Sequence, residues 1–170
     1  ETESDELVVN FSSSETFYSD KRPFFSENHS LFDVKGTSFF YIVNTRRIGG
    51  APDYDCSKYT SVMEEQCKKS EVGINDIDYA IRYTLQNESF DFGFLGASEA
   101  DEKFSKGRDF YSFRLRKNFK DLTLGYLGTK TDRPILLRKA DVHSFDFTYL
   151  PNDKTRIDTI YAFSDVSQNN

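Results

Sequence analysis

Along the second half of the chain, apolar and polar residues alternate with a period of two. Ile77, Tyr79, Ile81, Tyr83 and Leu85 fall on one side, and Asp78, Ala80, Arg82, Thr84 and Gln86 on the other. The same alternation recurs in Phe90–Phe92–Phe94, Tyr111–Phe113–Leu115, Leu122–Leu124–Tyr126, His143–Phe145–Phe147–Tyr149 and Ile157–Thr159–Tyr161–Phe163. Successive strand residues point to opposite faces, so this pattern predicts a sheet with one aromatic face and one polar face. The expected fold class is all-β, an antiparallel meander of about eight strands forming a barrel or partial barrel. Three hairpins account for residues 76–170, and strands and loops with Arg-rich elements for residues 1–75, within a single domain.

Turn residues divide the strands. Tight turns are expected around Asn87–Ser89, Asn118–Lys120 and Pro151–Lys154, and longer loops at Ala97–Arg108 and Thr131–Lys139. Short turns at one end and long loops at the other are usual in outer-membrane barrels. Strands of roughly nine to eleven residues also suit a tilted membrane crossing. Soluble up-and-down barrels share both features. Upstream, Leu7–Phe11, Thr16–Tyr18 and Phe39–Val43 read as strands, and Ser61–Lys69 as a short helix. Pro23 cannot donate to a ladder and marks an edge, a bend or a loop.

The polar face carries Arg82, Asp91, Arg114, Arg116, Asp146 and Asp158, with Thr84, Ser112, Thr123, Ser144 and Thr148 between them. Charges of both signs on neighbouring strands suit a wet interior, and are costly in a dry core unless paired. Periodicity does not tell inward from outward. A water-filled lumen with aromatics in lipid and a soluble sheet with aromatics inside both satisfy it.

Composition trims the alternatives. The 170 residues suit one domain, and a net charge of −6 argues against a nucleic-acid partner. Aromatics make up 16% of the chain without any Trp, which favours strands. No run of about 18 apolar residues is present, so no transmembrane helix is expected. The polar stretches at both termini read as a mature form or an excised piece. Cys56 and Cys67 lack the additional ligands of a zinc site and form a disulfide candidate, the alternative being two free loop thiols. A bridge there would suit an exported protein and stabilise by about 2–3 kcal/mol in the loop-entropy picture.

Two short elements suggest a family. Asp20-Lys21-Arg22-Pro23-Phe24-Phe25-Ser26-Glu27 resembles the Lys-Arg-Pro-Phe-Phe-Leu-Glu element of a group of large bacterial outer-membrane proteins of uncharacterised function. Phe39–Tyr41 with Thr45-Arg46-Arg47-Ile48-Gly49 resembles that group's Phe-Tyr-Ser-Arg-Arg-Ile-Gly element. Those proteins join a family-nine-like carbohydrate-binding module to a carboxy-terminal β-barrel. The resemblance covers most of residues 16–165. It implies the junction and first hairpins of such a barrel, without the carbohydrate-binding module and with too few strands to close it. It also implies a bacterial outer membrane or periplasm, with lipid and carbohydrate as partners.

Candidate chemistry is sparse. Arg22, Arg46 and Arg47 are the candidate ligand-binding residues, because guanidinium forks suit carboxylate, phosphate or sugar. The alternative is that they pair with Asp20, Glu27, Asp53 or Asp55 and fix the loops. Arg133 reads as a turn residue, and Gly107-Arg108 as a loop ending before a strand. His29 and His143 have no ligand spacing around them, and no paired carboxylates, nucleophile elbow or phosphate loop is present. No catalytic residue, metal or cofactor is therefore expected. The expectation is a non-enzymatic cell-envelope barrel or barrel segment with a carbohydrate-related uptake or surface-binding role. The alternative is a soluble lipocalin-like barrel holding an apolar ligand among Phe92, Phe94, Phe113, Phe145 and Phe147. A secreted enzyme or sugar-binding module is the weakest reading.

Overall fold

A computed structural model describes residues 20–34, 41–60, 62–70 and 74–168. The expected strands Leu7–Phe11 and Thr16–Tyr18, and residues 39 and 40 of a third, lie outside these residues. Six strands follow one another in chain order: β1 (Ile77–Gln86), β2 (Phe90–Glu99), β3 (Asp109–Asn118), β4 (Leu122–Arg133), β5 (Arg138–Asn152) and β6 (Thr155–Gln168). They form one antiparallel sheet in the order β1-β2-β3-β4-β5-β6, an all-β meander that does not close into a barrel. Because every neighbour in sequence is a neighbour in space, tight turns suffice to connect the strands. Among the described residues the strand count is six, against the eight expected.

The strands outrun their aromatic cores. β2 continues through Gly96 and Ala97 to Glu99, which leaves a loop at residues 100–108. The expected long loop at Thr131–Lys139 is mostly strand. β4 pairs with β5 up to Arg133 and Arg138, and a single 3-10 turn at Pro134–Leu136 joins them, closed by Leu137 at φ 48°. Only one of the two connections at that end is therefore long.

The upstream chain is mostly turns. Pro23 opens a one-turn helix, α1 (Pro23–Ser26), where its fixed φ suits the first helical position. Short 3-10 turns follow at His29–Leu31, Thr45–Arg47 and Cys56–Lys58. Tyr41–Val43, read as part of a strand, carries only an isolated bridge at Tyr41. The expected short helix is α2 (Val62–Ser70). It has Glu64 and Glu65 in its first turn, and ion pairs Lys68–Glu64 and Lys69–Glu65. The structure joins Cys56 and Cys67 in a disulfide, with Phe104 of the β2–β3 loop packed beside them.

This upstream segment lies across the polar face of the sheet. Phe25, Leu31, Phe32, Val34, Val43 and Ile48 are buried against Leu95, Ala97 and Leu127. Gly93 makes the close approach feasible, since a Cβ there would lie 2.8 Å from the Phe32 ring and 2.9 Å from Leu31. The core is thus built on the charged face, and the aromatic face has no protein over it among the described residues.

Candidate functional site

Two surfaces present themselves, one on each face of the sheet. On the inner, covered face, sheet arginines hold the upstream segment. Arg82 pairs with Glu27 at 2.8 Å and donates to its carbonyl, and Arg114 donates from Nε to Leu31 O at 3.1 Å. Arg114 also grips Asp146 through both terminal guanidinium nitrogens, an arrangement that Gly125 permits by leaving the space a Cβ would take. Arg116 binds Asp91 at 2.7 Å. Of the mixed charges expected on this face, Arg114 with Asp146 and Arg116 with Asp91 are paired across strands, as a buried setting requires, while the exposed Asp158 pairs with Arg156 of its own strand.

The densest node is Glu99, whose side chain is fully buried. It accepts from Arg108 Nε at 2.6 Å and Nη2 at 2.8 Å, from Gly49 N at 2.8 Å and from Asn75 Nδ2 at 3.1 Å. Arg108 Nη2 then reaches Arg47 O at 3.2 Å and Gly50 O at 3.4 Å. Sequence reading passed Arg108 over as a loop end. The available signal was a Glu and an Arg flanking one loop, and it became meaningful only once the register placed Ser98 opposite Asp109.

The three candidate arginines part company. Arg22 is a structural residue: it pairs with Asp20 at 2.7 Å, donates to Thr45 O and Ile48 O at 2.8 and 2.7 Å, and lies over the Phe25 ring. Burial pushes the Asp20 carboxyl up, but hydrogen bonds from Arg22 outweigh it and hold the group below its usual value. Arg46 and Arg47 instead line a cavity of about 700 Å³ between residues 41–51 and the inner face of β3, β4 and β5. Arg133, read as a turn residue, ends β4 and lines the same cavity while binding Asp53 through Nε at 2.8 Å and through Nη2. Burial raises the Asp53 pKa, and Arg133 more than offsets this, leaving it lowered. Among the described residues there is no cluster of His, Cys, Asp or Glu that could hold a metal ion.

The second surface is the outer, aromatic face. Register aligns Leu85, Phe92, Leu115, Tyr126, Phe145 and Tyr161 in one row, and Tyr83, Phe94, Phe113, Gly128, His143 and Phe163 in the next. Rings contact edge-on or tilted from strand to strand, Tyr83 to Phe92 to Phe113 to Tyr126 to Phe145, at centroid separations of 5.1 to 6.2 Å. Yet they remain open: Tyr83 is 56% exposed, Phe145 50% and Tyr161 65%. The Tyr126 hydroxyl and His143 Nδ1 satisfy one another at 2.7 Å within the band. Phe92, Phe94, Phe113, Phe145 and Phe147, the residues of the apolar-ligand alternative, all lie on this open face, and none lines the cavity.

The band runs obliquely. On β1 the outward apolar run is Tyr79–Leu85, centred at residue 82. On β6 it is Ile157–Phe163, centred at residue 160. The hydrogen-bonded row through Ile160, Asp146, Gly125, Arg116 and Asp91 reaches β1 at Gln86, four residues beyond 82. Four residues are about 14 Å along a strand, and five strand steps about 24 Å across, so the band is inclined by about 30° to the rows. Lys130, Asp141 and Asp165 border it on one side.

Residues 1–75 match the family model of a domain of unknown function (DUF5916), a similarity that covers less than half of the chain and ends two residues before β1. No curated protein and no solved structure matches the chain.

Proposed function

We propose that this chain contributes part of the wall of a bacterial outer-membrane β-barrel, non-enzymatic, with its aromatic face to lipid and residues 20–34 and 41–60 lying on the lumen side. The observation that carries the reading is the inversion of the sheet: among the described residues its charged face is covered and its aromatic face is bare. A sheet in water gains by burying its aromatic side, whereas one in a membrane turns that side to the hydrocarbon.

The oblique band supports the same reading. Barrel strands cross a membrane at a tilt of about 35–45°, which displaces the lipid-facing run from strand to strand. The inclination of about 30° agrees in size. The outward run His143–Tyr149 on β5 covers about 20 Å, near the height of about 25 Å of such bands. Lipid offers nothing to the outer backbone groups of β1 and β6, so the reading requires further strands at both edges. The resemblance of the Arg-Pro-Phe-Phe and Arg-Arg-Ile-Gly elements to an outer-membrane group points the same way, and brings with it the carbohydrate-related uptake or surface-binding role.

Size-exclusion chromatography with light scattering, with and without mild detergent, tests the proposal. Association in plain buffer, relieved by detergent with a bound micelle, is expected. A compact monomer that binds no detergent overturns it.

A further inference from the structure

The cavity on the inner face has a chemistry of its own, independent of what covers the aromatic side. Its walls include Arg46, Arg47, Arg108, Arg133 and Arg138, and no Asp or Glu. In a chain of net charge −6 this is a concentration of one sign where the rest of the molecule carries the other. Two of the arginines are already neutralised, Arg108 by Glu99 and Arg133 by Asp53, and these bonds fix the walls. The side chain of Arg138, at the start of β5, has no ion-pair or hydrogen-bond partner among the described residues. It stands opposite Arg133 in the ladder, so two guanidiniums share one inner row with one carboxylate between them.

The remaining wall suits a small polar molecule. Ser112, Thr129 and Thr131 bring hydroxyls to the sheet floor, with Leu95, Phe110 and Val142 as apolar patches between them. A volume of about 700 Å³ lies within the range of about 300–1,000 Å³ of small-molecule sites. Planar guanidinium forks match carboxylate and phosphate oxygens, and hydroxyls match a polyol body.

We propose that this cavity is an oxyanion-binding site, taking a small polar ligand with a carboxylate or phosphate group, with Arg138 as a principal charge contact. Arg46 and Arg47 line the same cavity. The shared chemistry is the oxyanion, and a sugar acid and a phosphate are its two sources.

Titration calorimetry on the full chain, in whichever buffer keeps it monodisperse, compares galacturonate, inorganic phosphate and uncharged galactose. At least one anion should bind tenfold or more tightly than galactose, and binding should weaken with added salt. Galacturonate alone identifies a sugar acid as the ligand class, and phosphate alone a phosphate ester. Arg138→Gln should weaken the anion about tenfold, in line with the loss of one charge-assisted bond. Arg138→Lys should lie between, and Arg156→Gln, at the far end of the sheet, should bind as the parent does. Arg138 is exposed, so its variants are expected to fold, and the salt dependence of the parent stands as a second reading. No anion binding, equal binding of galactose, or unchanged binding by Arg138→Gln overturns the proposal. Because the titration does not depend on lipid, failure here and failure of the membrane reading are separate results.

Discussion

The two faces of one sheet obey opposite rules. On the inner face Arg114, Asp91 and Glu99 are buried among Leu95, Leu127 and Phe32; on the outer face Phe113, Phe145 and Phe163 stand open. The inner face is specific, because its buried charges have partners at fixed positions and its apolar contacts are with one segment of the same chain. The outer face is unspecific, a tilted band of rings in contact with one another and with no counterpart among the described residues. The lesson is that burial in this protein follows pairing rather than hydropathy. A face full of charges is covered because an upstream segment supplies Glu27, Asp53 and a row of carbonyls to meet it.

The sharpest way to break this contrast is to orphan a charge on the inner face. Arg108→Ala leaves the Glu99 carboxylate buried without its guanidinium, and should cost about 3–5 kcal/mol in denaturant unfolding. A loss under about 1 kcal/mol would mean that the node is open to water in solution. Gly93→Ala probes the apolar half of the same face. Its methyl would meet Phe32 and Leu31, and overpacking should cost about 1–3 kcal/mol, with residues 20–60 becoming more susceptible to limited proteolysis while the sheet persists. Unaltered protease resistance would contradict the close approach.

Acid should act on the inner face and leave the aromatic face unaltered. Asp20 and Asp53 have carboxyls held below the usual value of 3.8 by Arg22 and Arg133. A depressed folded pKa stabilises above the unfolded value and loses that contribution as pH falls through the folded value. The docking of residues 20–34 and 41–60 should therefore hold from neutral pH to about pH 4 and weaken progressively below it. Pulsed proteolysis across pH 2–7 measures this, and loosening that begins near pH 6 would point to other groups. The smallest effect on folding is expected on the outer face. Phe145→Ser should change stability in water by no more than about 0.5 kcal/mol yet reduce partition into lipid vesicles about tenfold, from about 1.5 kcal/mol or more of lost apolar transfer. Equal partition of the two proteins would show that the band does not meet lipid.

Much of the sheet was legible because period two survives in sequence wherever one face is aromatic. Strand ends were not. Thr131–Arg133 and Arg138–Lys139 carry charge and hydroxyls on both faces, so nothing distinguished them from a loop, although they pair to the end of the ladder. Which face is covered was also hidden, since alternation is symmetric between the two sides and the answer lies in residues 20–60. There Phe25, Leu31 and Phe32 sit in one-turn helices and 3-10 turns with no period to read. Of the cavity, Arg46 and Arg47 were singled out for their composition, Arg108 and Arg133 were set aside as loop and turn residues, and Arg138 had no distinguishing neighbour. Cation-lined space is a property of register, because only pairing brings residues 46, 112, 131 and 138 around one volume.

The sheet arginines also have a bearing on how this molecule can vary over generations. Arg82, Arg108 and Arg114 direct donors to the carbonyls of Glu27, Arg47, Gly50 and Leu31. A carbonyl is common to every amino acid, so these bonds register the course of the main chain and are blind to the side chains strung along it. Mutational drift in the upstream segment can thus proceed at positions such as Arg47 without undoing its seat. The arginines that receive it have no such freedom.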